Sequence, residues 1–130
     1  MIAVDTSALV AIVLMEAERD RFLSVLSQAD CALVSVASIV EGRMVLHRRG
    51  AELAAAFDAI LDFPNLEAVP VDAEQAAIAQ DAFTRFGKGT GHPAQLNFGD
   101  LFAYALAKSR GLPLLFKGED FAATDIAAAA

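Results

Sequence analysis

The sequence predicts an α/β fold, a three-layer α/β/α sandwich around a central, mostly parallel sheet of four to five strands. Three observations predict it. Four short apolar runs stand out: Ile2-Ala3-Val4, Cys31-Ala32-Leu33-Val34, Leu66 to Val71 and Leu114-Leu115-Phe116. Between them lie longer stretches whose apolar residues recur at helical spacing. The runs are short, and short apolar strands alternating with helices make βαβ units, a parallel sheet and helices on both of its faces.

The elements follow in chain order. After the first strand, Asp5-Thr6-Ser7 carries helix-start chemistry, and Ala8 to Met15 is an apolar helix. A second helix begins near Ala17, with Phe22, Leu26 and Ala29 in register, and the strand at Cys31 follows it. Ser35 to Arg49 is helical; its last turn holds His47-Arg48-Arg49, which complements the helix dipole, and Gly50 stops it. Ala51 to Phe63 places Leu53, Phe57, Ile60 and Leu61 on one face and ends at Pro64. Beyond the third strand, Asp72 caps a helix with Ala76, Ala79, Phe83 and Phe86 in register. Residues 87–99 form the one long loop, rich in glycine, and Asp100 opens a helix from Leu101 to Lys108 that is apolar nearly all round and therefore central. Phe121 to Ile126 would add a short edge strand after the fourth.

With 130 residues, no internal repeat and no Pro/Gly/Ser-rich linker, the chain reads as a single domain over residues 1–130. Its one cysteine, Cys31, rules out an intramolecular disulfide and a cysteine-based zinc cage, and reads as a buried, inert thiol. Met1 to Met15 is apolar, yet Asp5 interrupts it, no Lys or Arg precedes it, and it is too short to span a bilayer. The expected location is the cytoplasm. The formal charge of −7 is the wrong sign for holding nucleic acid by phosphate neutralisation alone, unless several acids are gathered at one metal site.

In parallel α/β sheets, ligands sit beyond the carboxyl ends of the strands. Asp5 directly follows the first strand, Glu119-Asp120 follow the fourth, and Asp100 stands at the start of the central helix. Singly, each also reads as a helix cap or a solvated turn. Glu41 discriminates, because it sits inside a helix. Its neighbours one turn away are Ala37, Ser38, Met44 and Val45, none of them basic and three of them apolar. A carboxylate there is costly unless something elsewhere neutralises it. By contrast, Asp81 has Arg85 four residues on, and Glu52 has Arg48 four residues back, the spacing of surface ion pairs.

If Asp5, Glu41, Asp100 and Asp120 converge, their repulsion raises some of their pKa values and calls for a counter-ion. Hard oxygen ligands without Cys and with few His select Mg²⁺ or Mn²⁺ over zinc. One ion, or two at roughly 3.5–4 Å, suits in-line phosphodiester cleavage by a metal-activated water. Setting those four acids aside leaves a formal charge of −3. Arg43, Lys88, His92 and Lys117 are then the candidate phosphate contacts.

Taken in order, Asp5-Thr6-Ser7 after a first strand, Glu41 in the third helix, Asn97-Phe98-Gly99-Asp100 and Gly118-Glu119-Asp120-Phe121 resemble the PIN domain, and more narrowly the VapC toxins of bacterial type II toxin–antitoxin pairs. The resemblance spans essentially the whole chain. It implies a Mg²⁺- or Mn²⁺-dependent endoribonuclease that stops translation by cutting RNA, commonly tRNA or ribosomal RNA. Asp5, Glu41 and Asp100 match the family's regular metal-site acids, Asp120 is carried over as the fourth, and Asp125 is the alternative for that place. Ser7, or else Thr6, matches a small hydroxyl supporting the first Asp, and Asn97 shapes the turn before Asp100. Homodimers, a VapB antitoxin whose C-terminal arm covers the site, and heterotetrameric or larger complexes with it are implied as well.

Other readings fit less well. A strand-end Asp phosphatase needs a second acid two positions after Asp5, where Ser7 stands, and a phospho-receiver needs an acid pair that residues 1–8 lack. A catalytically inactive PIN scaffold that only binds a partner would have no use for Glu41 on an apolar face.

Overall fold

The computed structural model describes all of residues 1–130. Four parallel strands form the sheet: β1 (Ile2–Val4), β2 (Ala32–Ser35), β3 (Leu66–Val69) and β4 (Leu114–Leu115), in the order β3-β2-β1-β4. Ala3 pairs with Leu33 on one side and Leu114 on the other. The chain thus steps outward from β1 to β2 to β3, then returns to the opposite side of β1 for β4. That reversal opens a crevice at the carboxyl ends of β1 and β4.

Side-chain alternation divides the core into two layers. Ala3, Leu33 and Leu114 point to one face and pack with Phe86, Tyr104, Leu106 and Phe121. Val4, Val34 and Leu115 point to the other and pack with Leu9, Phe22, Leu26, Leu46 and Phe57. The first layer belongs to α5 (Ala73–Phe86) and α6 (Phe98–Arg110); the second belongs to α1 (Thr6–Val13), α2 (Arg19–Gln28), α3 (Val36–Leu46) and α4 (Ala51–Leu61). β1 and β2 are buried throughout, as strands covered by helices on both faces are. β3 is one edge of the sheet and exposes Glu67 and Ala68.

Several boundaries differ from the expected ones, each for a local reason. Ser35 ends β2 in an extended conformation and its side chain accepts from the Ala37 amide, so it caps α3 instead of joining it. The helix tightens into a 3₁₀ turn over His47–Arg49 before Gly50, whose φ of +110° only glycine adopts freely. Arg48 and Glu52 therefore stand on separate elements and form no ion pair, whereas Arg85 and Asp81 do, at 3.5 Å. Phe121 to Ile126 is not an edge strand: Phe121–Ala123 is a 3₁₀ turn, and the chain touches the sheet only later, where Leu114 bridges to Ala128. Cys31 lies just outside β2, half-buried, with its sulfur 3.8 Å from Glu67 Oε2.

Candidate active site

Each functional side chain is placed by the end of an element. Asp5 leaves β1 in extended conformation and caps α1, its Oδ2 accepting from the Ser7 amide at 2.9 Å. Its own amide donates to Leu115 O, which fixes it against β4. Thr6 is buried and donates to Ser38 O at 2.9 Å, locking α1 to α3, the helix that carries Glu41. Ser7 Oγ accepts from the Lys117 amide at 3.0 Å, tying the loop after β4 to the same corner.

Asp100 does not cap α6. Asn97 does, accepting from the Asp100 amide at 2.9 Å, while Asp100 Oδ2 accepts from the Asn97 amide at 3.0 Å. This reciprocal capping box satisfies two orphan donors and pins the Asp100 carboxyl near the positive end of the helix. Between them sits Gly99. A Cβ there would lie 1.8 Å from Glu41 Oε2, so the Glu41 carboxylate rests against a backbone that only glycine leaves open. The sequence reading missed this role. Its one signal is a glycine in the first turn of a helix, where it weakens the helix by about 1 kcal/mol relative to alanine and no turn requires it.

Asp5, Glu41, Asp100 and Asp120 all line one open cavity of about 280 Å³ at the carboxyl ends of β1 and β4. Lys117 is the only cation in its wall, and it is held at the rim by Glu16 and Glu18, each 3.2 Å away. Burial pushes the Asp5 carboxyl up to about 6; its bonds from Ser7 oppose this and the charge of Glu41 adds to it. Burial likewise pushes Asp100 up to about 7, against the Asn97 amide and reinforced by Asp5, Asp120 and Glu41. Asp5 Oδ1 is buried and has no hydrogen-bond partner. No three of the acids close into a ready-made coordination cluster.

The other sequence-predicted residues fall elsewhere. Asp125 is no part of the cavity: it accepts from Tyr104 Oη at 2.6 Å and from Lys108 at 2.8 Å, with Arg85 at 3.4 Å. Arg43 turns to the far side of α3, paired with Asp58 and lying over the Phe57 ring. His92 Nδ1 accepts from the Ala94 amide, and its ring meets Phe86 edge-on, which makes it a loop brace. Lys88 is exposed on the loop and outside the cavity.

A crevice at the switch point of a parallel sheet is where α/β proteins of this class bind their ligands, and here four acids line it. The PIN domain family model matches residues 2–127. Ribonuclease VapC42 of Mycobacterium tuberculosis is 42% identical over 124 residues, 95% of each chain. Ribonuclease VapC30 of the same organism is 44% identical over 128 residues, covering 98% of this chain and 97% of its own. Among solved structures, the fold matches the M. tuberculosis toxin VapC20, described as cleaving the sarcin-ricin loop, with a TM-score of 0.79 at 22% identity over 97% of this chain and 96% of that one. It also matches Rickettsia felis VapBC2 bound to promoter DNA, at a TM-score of 0.75 and 17% identity over 98% and 96%. The chain belongs to the PIN domain family, in its VapC ribonuclease branch, the toxins of toxin–antitoxin pairs.

Proposed function

We propose that this chain is a Mg²⁺- or Mn²⁺-dependent endoribonuclease that hydrolyses phosphodiester bonds in tRNA or ribosomal RNA and so arrests translation. The observation that carries this reading is the Asp5 carboxyl, buried with Oδ1 unpartnered among three further acids. The donor set fits a hard divalent cation, being carboxylate oxygen without Cys or His. Asp5 and Asp100 would hold the ion, with Glu41 and Asp120 completing the set. An ion held there would offset the charge of the acids and supply Lewis-acid chemistry to a water and a phosphate oxygen.

The chain's own residues supply the positioning. The Ser7 amide aims Asp5, and the Asn97 box aims Asp100. Gly99 admits the Glu41 carboxylate. Lys117 lines the cavity, but its ammonium is paired with Glu16 and Glu18 and so is not free for a phosphate oxygen.

The proposed protein partner is a VapB-type antitoxin that presents a basic side chain to these acids; the net charge of −7 supports it. Homodimerisation, with heterotetramers or larger assemblies once the antitoxin binds, is supported by exposed Val40, Met44 and Phe98 around an apolar cavity of about 500 Å³ beside Glu41. No helix is long and apolar enough to cross a membrane, and the place of action we propose is the cytoplasm, where translation runs.

Sequencing of RNA 5′ ends after brief expression tests the reading. Wild type creates new ends that Asp5→Asn does not, and the purified protein cuts the same RNA with Mn²⁺ and not with EDTA. Equal cutting by Asp5→Asn, or cutting in EDTA, overturns it.

A further inference from the structure

An acidic ribonuclease must bring a polyanion to a pocket of four carboxylates, so the location of its free cations matters. Of the ten Lys and Arg, five are engaged: Arg19 with Asp20, Arg43 with Asp58, Arg85 with Asp81 and Asp125, Lys108 with Asp125, and Lys117 with Glu16 and Glu18. Arg21 lies over Phe22, Lys88 stands alone on its loop, and Arg110 is ten residues along α6 from Asp100, about 15 Å away. Arg48 and Arg49 remain. They are adjacent, exposed and in no ion pair, and Gly50 cuts them off from Glu52.

Their placement continues the site. Glu41 and Val45, one helical turn apart, both line the acid cavity. Arg48 follows Val45 by three residues, where α3 tightens into the 3₁₀ turn, so it stands next along the same line, roughly 10 Å from Glu41. Guanidinium forks match phosphate oxygens and are lightly hydrated, which suits them to a nucleic-acid backbone. An antitoxin arm that brings a cation to the acids gains nothing from two more cations beside them.

Resting on the ribonuclease reading, we propose that Arg48 and Arg49 form a phosphate-binding track that leads one flank of the RNA strand into the acid cavity. The track offsets the repulsion of the acids and sets which side of the scissile bond is gripped.

The test is binding of a fluorescent single-stranded RNA oligonucleotide, read by anisotropy across a KCl series in EDTA, where the proposed cleavage is silent. The double variant Arg48→Gln/Arg49→Gln should bind about tenfold more weakly, with the slope of log K against log[KCl] smaller by about 1.4, the share of two single-strand phosphate contacts. Arg48→Lys/Arg49→Lys should keep the slope, and Arg110→Gln should change nothing. A double Gln variant with the wild-type affinity and slope overturns the track while leaving metal-dependent cleavage by the wild type standing. Loss of affinity for poly-glutamate but not for RNA assigns the pair to an acidic protein segment and overturns it as well. A wild type that neither binds nor cuts RNA fails both this proposal and the ribonuclease reading.

Discussion

Two clusters of carboxylates, both touching α6, are built in opposite ways. At the start of the helix, Asp100 faces Asp5, Glu41 and Asp120, and the only cation nearby is already taken by Glu16 and Glu18. At its middle, Asp125 is met by Tyr104, Lys108 and Arg85. Burial raises Asp100 to about 7, whereas the bonds from Lys108 and Tyr104 outweigh desolvation and hold Asp125 down at about 2. The Asp125 cluster is complete within the chain and fastens the C-terminal segment to α5 and α6. The Asp100 cluster is a charge imbalance that needs something from outside.

The largest difference between the clusters should appear in activity. Asp5→Asn and Asp100→Asn should each lower RNA cleavage by at least about 100-fold, beyond the usual loss for residues that merely orient a metal ligand, with the circular-dichroism spectrum unchanged. Asp125→Asn should cut RNA at nearly the wild-type rate. Loss of cutting in Asp125→Asn with full cutting in Asp5→Asn would reverse the assignment of the two clusters.

Stability should separate them next. Mg²⁺ or Mn²⁺ at about 100 times its Kd should stabilise the wild type by about 2.7 kcal/mol, seen as a rise in Tm of several degrees. Asp5→Asn should abolish that rise. Asp125→Ala should keep it while lowering the metal-free stability by about 1–2 kcal/mol, since its partners are part-exposed and solvent screens the cations' share. A metal-independent Tm in the wild type would favour an inactive scaffold.

The pH response of the metal-free protein should be smaller, and opposite in sign for the two clusters. Asp5 and Asp100 have folded-state values raised from 3.8 to about 6 and about 7. The folded state then holds protons that the unfolded chain has released. Stability from these groups is full below about pH 4 and lost as pH rises through 6 to 7. Asp125 contributes stability above its ordinary 3.8, lost as pH falls towards 2. Urea midpoints without metal should therefore fall from pH 5 to pH 8, and Mg²⁺ should flatten that fall. A midpoint that rises over this range would contradict the unpaired state of the acids.

The smallest effect concerns backbone room. Gly99→Ala should leave Tm unchanged or slightly higher, because alanine favours the helix and the group it meets is the mobile end of Glu41. Cleavage should drop by about tenfold as that carboxylate is displaced. Unaltered cleavage would show that Glu41 reaches its place without the space Gly99 provides.

Local sequence carried much of this site. Glu41 was recognisable because its helical neighbours offer no cation, and Asp5 and Asp120 because they follow strands whose parallel order puts their ends together. The sequence puts Asp100 at the start of the central helix; the structure begins that helix two residues earlier, so Asn97 is the cap and Asp100 the third helical residue. Nothing local distinguishes Asp120 from Asp125, polar residues five apart on one irregular segment. What separates them is Lys108 and Tyr104 on α6 and Arg85 on α5, which reach Asp125 from 17, 21 and 40 residues away. The ion pair of Arg43 is likewise invisible in the local sequence, since its partner Asp58 comes from the following helix.

By itself the sequence determined the strand and helix alternation, the parallel sheet and the presence of acids at its carboxyl edge, because apolar periodicity and capping act within a few residues. Only the tertiary structure decided which carboxylates lack a counter-charge, and which cations are left free beside them. Charge pairing acts through space between side chains that the polymer keeps far apart.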